Sequence, residues 1–278
     1  MLIVKIGGAE GIGYEPLVED IVALAHAGRR MVLVHGGSAE TSELQERLGS
    51  SPQMVVAPSG HESRFTDDEA LDAFIMACAG RVNTDLVARL RRGGADAVGL
   101  SGLDGGLCSG PVKDAIKVER DGRRFLMRGN RSGRVERVRP EVLSALMGAG
   151  FLPVVGPPVL SDSGYPMNTD ADRMAAAIAL SLGAEDLVLL TNVPGILRDP
   201  DGDPTLIRRV DGREDFARAR GSARGRMAAK LLAAEEALRG GVRRAIIADA
   251  RAAKPVTDAL AGLGTVLSDE SGELEGLR

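Results

Sequence analysis

The chain has 278 residues, of which 44% are hydrophobic and 27% are charged, which is long enough for one large domain or two lobes around a substantial core. Its formal net charge of −4 argues against general nucleic-acid binding. The two cysteines, Cys78 and Cys108, have no metal-ligand spacing and indicate neither a disulfide framework nor a zinc site. Neither a signal peptide nor an apolar run close to the roughly 18 residues of a membrane span is found. We therefore expect a cytoplasmic protein that binds neither membrane nor nucleic acid.

Short apolar runs along the chain predict strands that are buried on both faces: Leu2–Ile6, Met31–Val34, Ala97–Leu100, Leu152–Val155, Leu187–Leu190 and Arg244–Ala248. Helical spacing predicts helices between them: Glu15–Ala27, Ala39–Leu48, Asp67–Arg91, Pro140–Met147, Ala171–Leu182, Arg224–Arg239 and Ala253–Leu260. This alternation is typical of an α/β protein with a mostly parallel central sheet between two helical layers. A proline-rich stretch from Pro157 to Pro166 marks the expected boundary between an N-lobe, about residues 1–165, and a C-lobe, about residues 166–278, of a single domain.

The segment 113–139 interrupts this alternation. It contains ten Lys or Arg residues against four acidic ones, a local net charge of +6. Turn residues separate Ala115–Glu119, Arg123–Arg128 and Gly133–Val138, so we expect antiparallel strands leaving the main sheet as a basic hairpin. The segment is either a solvated surface or a docking site for an acidic partner, through Arg128, Arg131 and Arg134.

Glycine turns follow the first two predicted strands. Lys5-Ile6-Gly7-Gly8 ends the first strand, and His35-Gly36-Gly37-Ser38 ends the second. Backbone without a Cβ can present N–H groups to an anion, and both turns are expected at the sheet edge where α/β proteins bind ligands. No Walker or dinucleotide fingerprint is present, so these glycines predict a different phosphate-binding scheme.

Two later motifs place polar residues at the starts of helices. Met167-Asn168-Thr169-Asp170-Ala171-Asp172 precedes an alanine-rich helix, where Asn168, Thr169 or Asp170 could be a simple N-cap. Arg224-Gly225-Arg226-Met227-Ala228-Ala229-Lys230 puts a lysine in the opening turns of another helix, a position that solvated lysines often occupy.

Taken in order, the motifs KIGG (5–8), HGGS (35–38), MNTDAD (167–172), TNVPGIL (191–197) and GRMAAK (225–230) resemble the amino-acid kinase family over essentially the whole chain. The resemblance is strongest to its acetylglutamate kinase branch, and within it to kinases acting on 2-aminoadipate or glutamate attached to a LysW-type amino-group carrier protein. The features that point to the carrier-linked kinases are GGAEGI (7–12), HGGSAET (35–41), GLSGLDG (99–105), Asn192 and GRM (225–227).

The resemblance implies a role for each site residue. Lys5 and Lys230 would be catalytic and contact the transferring phosphoryl group, with Asp172 holding the two lysines. Gly7, Gly8, Gly36 and Gly37 would bind phosphate, and Gly36, Gly37, Arg64 and Asn168 would bind the substrate. Thr191, Asn192, Gly195, Met227 and Lys230 would line ATP, whose phosphates would be bridged by Mg²⁺; no protein metal ligand is implied.

The implied reaction phosphorylates a side-chain carboxylate to an acyl phosphate, in lysine or arginine biosynthesis. Such a carboxylate has a pKa of about 4.3 and is ionised at neutral pH, so no general base is needed and His35 is expected to be structural. The implied partners are a small acidic carrier protein, a downstream acyl-phosphate reductase and a second copy of the chain, because the first strand begins at residue 2 and leaves no extension for a larger assembly.

Two alternatives remain open from the sequence. One is a free N-acetylglutamate kinase of arginine biosynthesis, with the same residues and chemistry. The other is a non-catalytic nucleotide sensor, which the joint presence of Lys5, Asp172 and Lys230 disfavours. Aminoadipate and glutamate differ by one methylene, which a pocket discriminates by only about 1–3 kcal/mol, so the sequence does not decide between them.

Overall fold

The computed structural model of the protein describes residues 1–7, 13–58, 62–120, 123–200, 202–270 and 272–274. Its α-helices are α1 (Tyr14–His26), α2 (Ser38–Arg47), α3 (Asp68–Ile75), α4 (Asn83–Arg92), α5 (Pro140–Gly148), α6 (Ala171–Ser181), α7 (Gly212–Ser222), α8 (Gly225–Arg239) and α9 (Pro255–Leu260). No helix in these ranges is long and apolar enough to cross a membrane.

The strands are β1 (Leu2–Ile6), β2 (Met31–His35), β3 (Met54–Val56), β4 (Glu62–Arg64), β5 (Ala97–Ser101), β6 (Cys108–Gly110), β7 (Ala115–Arg120), β8 (Arg123–Arg128), β9 (Ser132–Gly133), β10 (Arg137–Val138), β11 (Leu152–Gly156), β12 (Val159–Ser161), β13 (Pro166–Thr169), β14 (Asp186–Thr191), β15 (Leu197–Arg198), β16 (Thr205–Leu206), β17 (Arg209–Asp211), β18 (Arg244–Asp249) and β19 (Thr265–Ser268). Within the described ranges the central sheet has the order β17-β19-β18-β14-β1-β2-β11-β5. Its neighbours are parallel except for the β18–β19 pair. The predicted α/β fold with a mostly parallel sheet is therefore confirmed.

The strands bury alternate residues on opposite faces of the sheet, as the period of a strand requires. In β1, Leu2, Val4 and Ile6 belong to a core packed under α1, α4 and α9. Ile3 faces the other way, into a core formed with α5, α6 and α8. The sheet is therefore the middle layer of an α-β-α sandwich, and one continuous sheet runs through both predicted lobes, joined at the β1–β14 pair.

A second sheet, with the order β10-β6-β12-β13-β9, corrects the prediction for the basic segment. β7 and β8 pair as the predicted hairpin, although its Asp121-Gly122 turn lies outside the described residues. The predicted third strand, Gly133–Val138, is wrong. Its two ends lie in β9 and β10, which pair with β13 and β6 respectively and not with the hairpin.

The predicted helix Asp67–Arg91 is interrupted by a π-helical segment, Met76–Val82, between α3 and α4. An apolar period near 3.6 does not reveal such a local change in winding, which often lies near functional sites. The sequence prediction also missed α7, because its strongly charged sequence buries only Gly212, Phe216 and Ala219.

Candidate functional site

Lys5 lies near the carboxyl end of β1, and the alternation of side chains along that strand determines which face of the sheet it occupies. It lies on the same face as Ile3, toward α6 and α8, and the residue is only 5% exposed. β1 lies between β14 and β2, with Lys5 opposite Leu189 and Val34. The ammonium group is therefore buried at the centre of the edge where parallel strands end, which is where α/β proteins bind ligands.

Asp172 brings Lys5 and Lys230 together. The Asp170 carboxylate caps α6 by accepting the backbone N–H of Arg173, which places Asp172 in the first turn. The Oδ1 atom of Asp172 lies 2.7 Å from the Lys5 Nζ atom, and the Lys230 Nζ atom donates to both Asp172 oxygens at 2.9 Å. The three residues predicted to be catalytic are thus in direct contact, although they come from β1, α6 and α8.

The electrostatics of this group follow from burial and proximity. Burial by itself raises the pKa of Asp172, but the ammonium groups of Lys230 and Lys5 lower it to about 2. Burial, with a smaller contribution from the Lys5 ammonium group, lowers the pKa of Lys230 to about 8, despite the opposing effect of Asp172. With both lysines protonated, two cations share one carboxylate, and the net charge of +1 in a buried site attracts an anion.

The glycine turns lie beside this cluster. Gly7 follows β1 and is buried; a Cβ there would stand 3.2 Å from the carbonyl oxygen of Leu190. A Cβ on Gly36 would be 3.8 Å from the Cβ of Ala171, so the turn after β2 faces the start of α6. A Cβ on Gly37 would be only 2.6 Å from the Cys78 Sγ atom in the π-helical segment. Gly8, also predicted to bind phosphate, lies outside the described residues.

His35 is buried under the second glycine turn. Its Nδ1 atom lies 2.8 Å from the carbonyl oxygen of Gly36, and its Nε2 atom lies 2.9 Å from the Asn83 amide nitrogen. This pairing requires that Nδ1 carries the proton, because the Asn83 nitrogen is a donor. Burial lowers the pKa of His35 to about 4, so the ring is neutral near pH 7. His35 therefore supports the turn, as its expected structural role requires.

Arg64 lies over the start of α2. Its guanidinium donates to the Ser38 carbonyl oxygen at 3.1 Å and to the Ser42 hydroxyl at 2.7 Å, and it also donates to the Gln45 side-chain oxygen. All these acceptors are neutral, so they fix the orientation of the guanidinium without cancelling its charge. Burial lowers the pKa of Arg64, and Arg226 adds to this effect from α8. Half-buried and without a carboxylate partner among the described residues, Arg64 is suited to bind an anion.

Asn168, the second residue predicted on the substrate side, lies on β13, four residues before Asp172. Its amide nitrogen donates to the Thr66 hydroxyl at 2.9 Å. Thr66 and Gln45 are buried and hold the predicted substrate residues, yet sequence reasoning did not single them out. The sequence offers one indication of a role for Thr66, which is its position two residues after Arg64.

The residues predicted to line the nucleotide follow β14 and begin α8. Thr191 is the last residue of β14, adjacent to β1, and Asn192 is exposed just beyond it. Gly195 has a φ of 153° and approaches Thr265, where a Cβ would be 2.6 Å from the hydroxyl oxygen. Met227 is half-buried one turn before Lys230 on α8. Thr191 therefore ends the strand that pairs with β1, and Met227 lies on the same helix as Lys230.

A metal ion finds few protein ligands here. Across the residues that the structure describes, no group of three or more His, Cys, Asp or Glu side chains could hold a metal. Both oxygens of Asp172 already contact ammonium groups. A divalent cation at this site would therefore take its ligands mainly from a bound phosphate group.

Comparison with known proteins matches residues 1–249 to the family model described as the amino acid kinase family. The LysW-aminoadipate kinase of Deinococcus radiodurans is 46% identical over 268 residues, covering 96% of this chain and 91% of that protein. The LysW-aminoadipate kinase of Thermus thermophilus is 45% identical, covering 96% of this chain and all of that protein. The acetylglutamate kinase of Archaeoglobus fulgidus is 37% identical, covering 89% of this chain and 85% of that protein.

Among solved structures, carbamate kinase from Giardia lamblia bound to AMP-PNP has a similar fold. The TM-score is 0.65 at 17% sequence identity, and the match covers 97% of this chain and 98% of that one. At this identity the likeness concerns the fold alone.

Proposed function

This chain belongs to the amino acid kinase family, and we propose that it transfers the γ-phosphoryl group of ATP to the side-chain carboxylate of 2-aminoadipate carried by an amino-group carrier protein. The observation that carries this proposal is the buried contact of Lys5 and Lys230 with Asp172 beside two glycine turns. The substrate is taken from the names of the Deinococcus and Thermus relatives, which are 46% and 45% identical over nearly the whole chain.

The reaction asks the protein to neutralise and align charge. A carboxylate oxygen of the substrate attacks the γ-phosphorus, the bond from that phosphorus to the bridging oxygen breaks, and ADP leaves with the electron pair. No proton has to be removed, because the attacking carboxylate is already ionised at neutral pH. Lys5 and Lys230 would offset the negative charge on the transferring group, and Asp172 would keep both ammonium groups in place.

The backbone supplies the remaining phosphate contacts. The N–H groups of the turns at Gly7, Gly8, Gly36 and Gly37 would donate to phosphate oxygens. A Cβ would be crowded at Gly7 and would clash with Cys78 at Gly37. Thr191, Asn192, Gly195 and Met227 would line the nucleotide. Mg²⁺ would arrive with the phosphates of ATP.

The acceptor would lie on the side of Arg64 and Asn168. Arg64 offers a guanidinium whose described acceptors are all neutral, so its charge remains available to a carboxylate of the substrate or of its linkage to the carrier. Gly36 and Gly37 lie between this side and the lysine cluster, where a γ-phosphate and an acceptor carboxylate would meet.

The carrier is proposed to dock on the outer face of the β7–β8 hairpin. The inner face packs Val118 against Val55 and Phe65, which leaves Lys117, Leu126 and Arg128 on the outer face. Neither Lys117 nor Arg128 forms an ion pair with any residue that the structure describes. Arg131 and Arg134, proposed from the sequence for the same role, instead pair with Asp68 and Glu136. An acidic carrier would therefore meet Lys117 and Arg128 first.

The proposed function includes two protein partners. The acyl phosphate product hydrolyses readily, so we expect a reductase that consumes it. We also expect the chain to form a homodimer. Two buried, unpaired cysteines and the use of ATP fit a cytoplasmic enzyme. Phosphorylation of free N-acetylglutamate is the second candidate, because an acetylglutamate kinase is 37% identical to this chain.

The test is an assay in which ATP and hydroxylamine trap the acyl phosphate as a hydroxamate. Carrier-bound aminoadipate, carrier-bound glutamate and free N-acetylglutamate are compared at equal concentration. Lys230→Met, which fills a similar volume without the charge, is the control. Hydroxamate mainly from carrier-bound aminoadipate supports the proposal. Turnover mainly of free N-acetylglutamate rejects it in favour of the second candidate.

A further inference from the structure

Thr66 joins three parts of the chain through hydrogen bonds. It is fully buried, in the loop between β4 and α3. Its hydroxyl donates to the Arg64 carbonyl oxygen at 3.4 Å and accepts from the Asn168 amide nitrogen at 2.9 Å. Its backbone N–H donates to the Asn130 side-chain oxygen at 3.3 Å, and its carbonyl oxygen accepts from the Arg131 N–H at 2.6 Å. Every polar atom of Thr66 is therefore used.

Asn130 closes the base of the hairpin in the same network. It is also fully buried. Its amide nitrogen donates to the Lys113 carbonyl oxygen and to the Ser132 hydroxyl, both at 2.7 Å. Its backbone N–H donates to the Asp114 carbonyl oxygen at 2.9 Å. Asn130 thus binds the two legs of the hairpin to each other and both of them to Thr66.

These contacts determine where two residues of the proposed acceptor site stand. Among the described residues, Thr66 is the only hydrogen-bond partner of the Asn168 side chain, and the backbone N–H of Asn168 donates to the Arg131 carbonyl oxygen at 2.9 Å. Without the Thr66 hydroxyl, the Asn168 amide could rotate, and the Arg64 carbonyl would lose a donor. A buried polar group that is left unpaired costs more than the hydrogen bond contributes, so the surrounding residues would shift.

We propose that Thr66 is a positioning residue that sets the placement of Arg64 and Asn168 for the phosphoryl acceptor, and that Asn130 extends this placement to the basic hairpin. The inference rests on the proposed function, because it assumes that Arg64 and Asn168 contact the acceptor. A carrier held on the hairpin is then fixed relative to the residues that hold its substrate. Among the described residues, no hydrogen bond of this network involves Lys5, Lys230 or a residue proposed to line ATP.

The first experiment compares Thr66→Val with Thr66→Ser in the hydroxamate assay, using the acceptor that the wild-type protein phosphorylates. Valine keeps the shape of threonine and removes the hydroxyl, so the KM for the acceptor is expected to rise about 3- to 10-fold, the equivalent of one neutral hydrogen bond. The KM for ATP is expected to stay unchanged, and serine, which restores the hydroxyl, is expected to restore the acceptor KM. If valine prevents folding, Thr66→Cys serves instead, because a thiol is only a weak hydrogen-bond donor.

Thr265→Val is the matched control. Thr265 is also fully buried, and its hydroxyl also forms two hydrogen bonds, donating to the Ile207 carbonyl oxygen at 2.6 Å and accepting from the Ile196 backbone N–H at 2.8 Å. It lies in the C-lobe, so its loss is expected to lower stability without raising the acceptor KM. If Thr66 served folding alone, Thr66→Val and Thr265→Val would change stability and the acceptor KM in the same way.

Asn130→Ser tests the link to the hairpin. It shortens the side chain without adding bulk, and the KM for a carrier-bound acceptor is expected to rise while the KM for ATP stays constant. An unchanged acceptor KM in Asn130→Ser would overturn the link, and an unchanged acceptor KM in Thr66→Val would overturn the positioning role, each with the proposed function intact. A wild-type protein that phosphorylates no carboxylate would overturn the proposed function and this inference together.

Discussion

The Asp172 carboxylate contacts the ammonium groups of both Lys5 and Lys230, at 2.7 and 2.9 Å, although these residues lie on three different elements. All three residues are almost fully buried, with exposures of 5 to 6%. Removing one partner from such a group leaves charge that neither solvent nor protein compensates. The contact therefore makes the chemistry of the site depend on Asp172, even though that residue need not touch a phosphate.

Asp172→Asn is expected to lower kcat by about 100-fold or more, because it releases the two ammonium groups from their fixed positions. It is also expected to destabilise the fold by about 3–5 kcal/mol, the usual effect of breaking a buried ion pair. The measurements are kcat in the hydroxamate assay and the free energy of unfolding in denaturant.

Asp186→Asn is its matched control. Asp186 is a buried carboxylate that also contacts two cations, Arg29 at 3.3 Å and Arg244 at 2.8 Å, but at the opposite end of β14. It should lose stability and keep kcat. Equal losses of kcat in both variants would contradict a specific role for Asp172.

The pH dependence of kcat/KM for ATP is expected to follow Lys230. Burial lowers the pKa of Lys230 to about 8, so its positive charge is present below that pH and is lost above it. The rate constant should therefore fall as the pH rises through about 8. No acidic limb is expected between pH 6 and pH 7, because the pKa of His35 lies at about 4 and carboxylates ionise at about 4.3. A profile that is flat from about pH 7 to pH 9.5, or one that falls below pH 7, would contradict this assignment.

The lowered pKa of Lys230 also predicts that stability rises with pH over the range in which kcat/KM falls. In the native state Lys230 releases its proton near pH 8, whereas in the unfolded chain it holds the proton until about 10.5. Between these values the unfolded state binds more protons, so the Lys230 contribution to the free energy of unfolding rises with pH. Denaturant unfolding of the wild-type protein and of Lys230→Met at pH 7.5 and 9.5 measures it. The wild-type protein should gain stability relative to the variant, and a relative loss would show that the lysine pKa is not lowered.

Gly37→Ala is expected to lower both stability and turnover, because its Cβ would stand 2.6 Å from the Cys78 Sγ atom. Overpacking of this kind costs about 1–3 kcal/mol. Cys78→Ala in the same chain removes the sulfur and should restore most of the melting temperature. Gly36→Ala is the control for stability, since its Cβ meets Ala171 at an ordinary 3.8 Å. Failure of Cys78→Ala to rescue Gly37→Ala would show that the close approach is not the cause.

Reversing the charges of Lys117 and Arg128 to Glu is expected to raise the KM for a carrier-bound substrate by about tenfold or more, with no change in the KM for ATP. The effect should weaken as salt is raised, because exposed charges are screened over about 8 Å at physiological ionic strength. The matched control reverses Arg30 and Arg92. Both are exposed, Arg30 just before the start of β2 and Arg92 at the end of α4, which leads into the start of β5. Both double variants change the net charge equally. An equal rise in KM would therefore assign the effect to overall charge and not to the hairpin.

Much of the framework could be predicted from the sequence because it depends on local patterns. The six predicted strands are all present in the central sheet, since a compact apolar run flanked by turn residues has few other ways to be buried. The resemblance to the amino-acid kinase family is confirmed by the match over residues 1–249. The glycine turns at Gly7 and Gly36 were found for the same local reason, because each directly follows a strand that the apolar pattern defines.

Only the tertiary structure decided which residues meet. Lys5 lies on the α6 and α8 face because β1 alternates in register with β2 and β14, and a shift of one residue would turn it toward α1. The Gly133–Val138 segment divides between β9 and β10 because distant strands offer it hydrogen-bonding edges. Thr66 and Asn130 are 64 residues apart in the chain, and neither has a local pattern that marks it. Contacts of this kind form when separate elements pack together, so a reading of local periodicity contains no information about them.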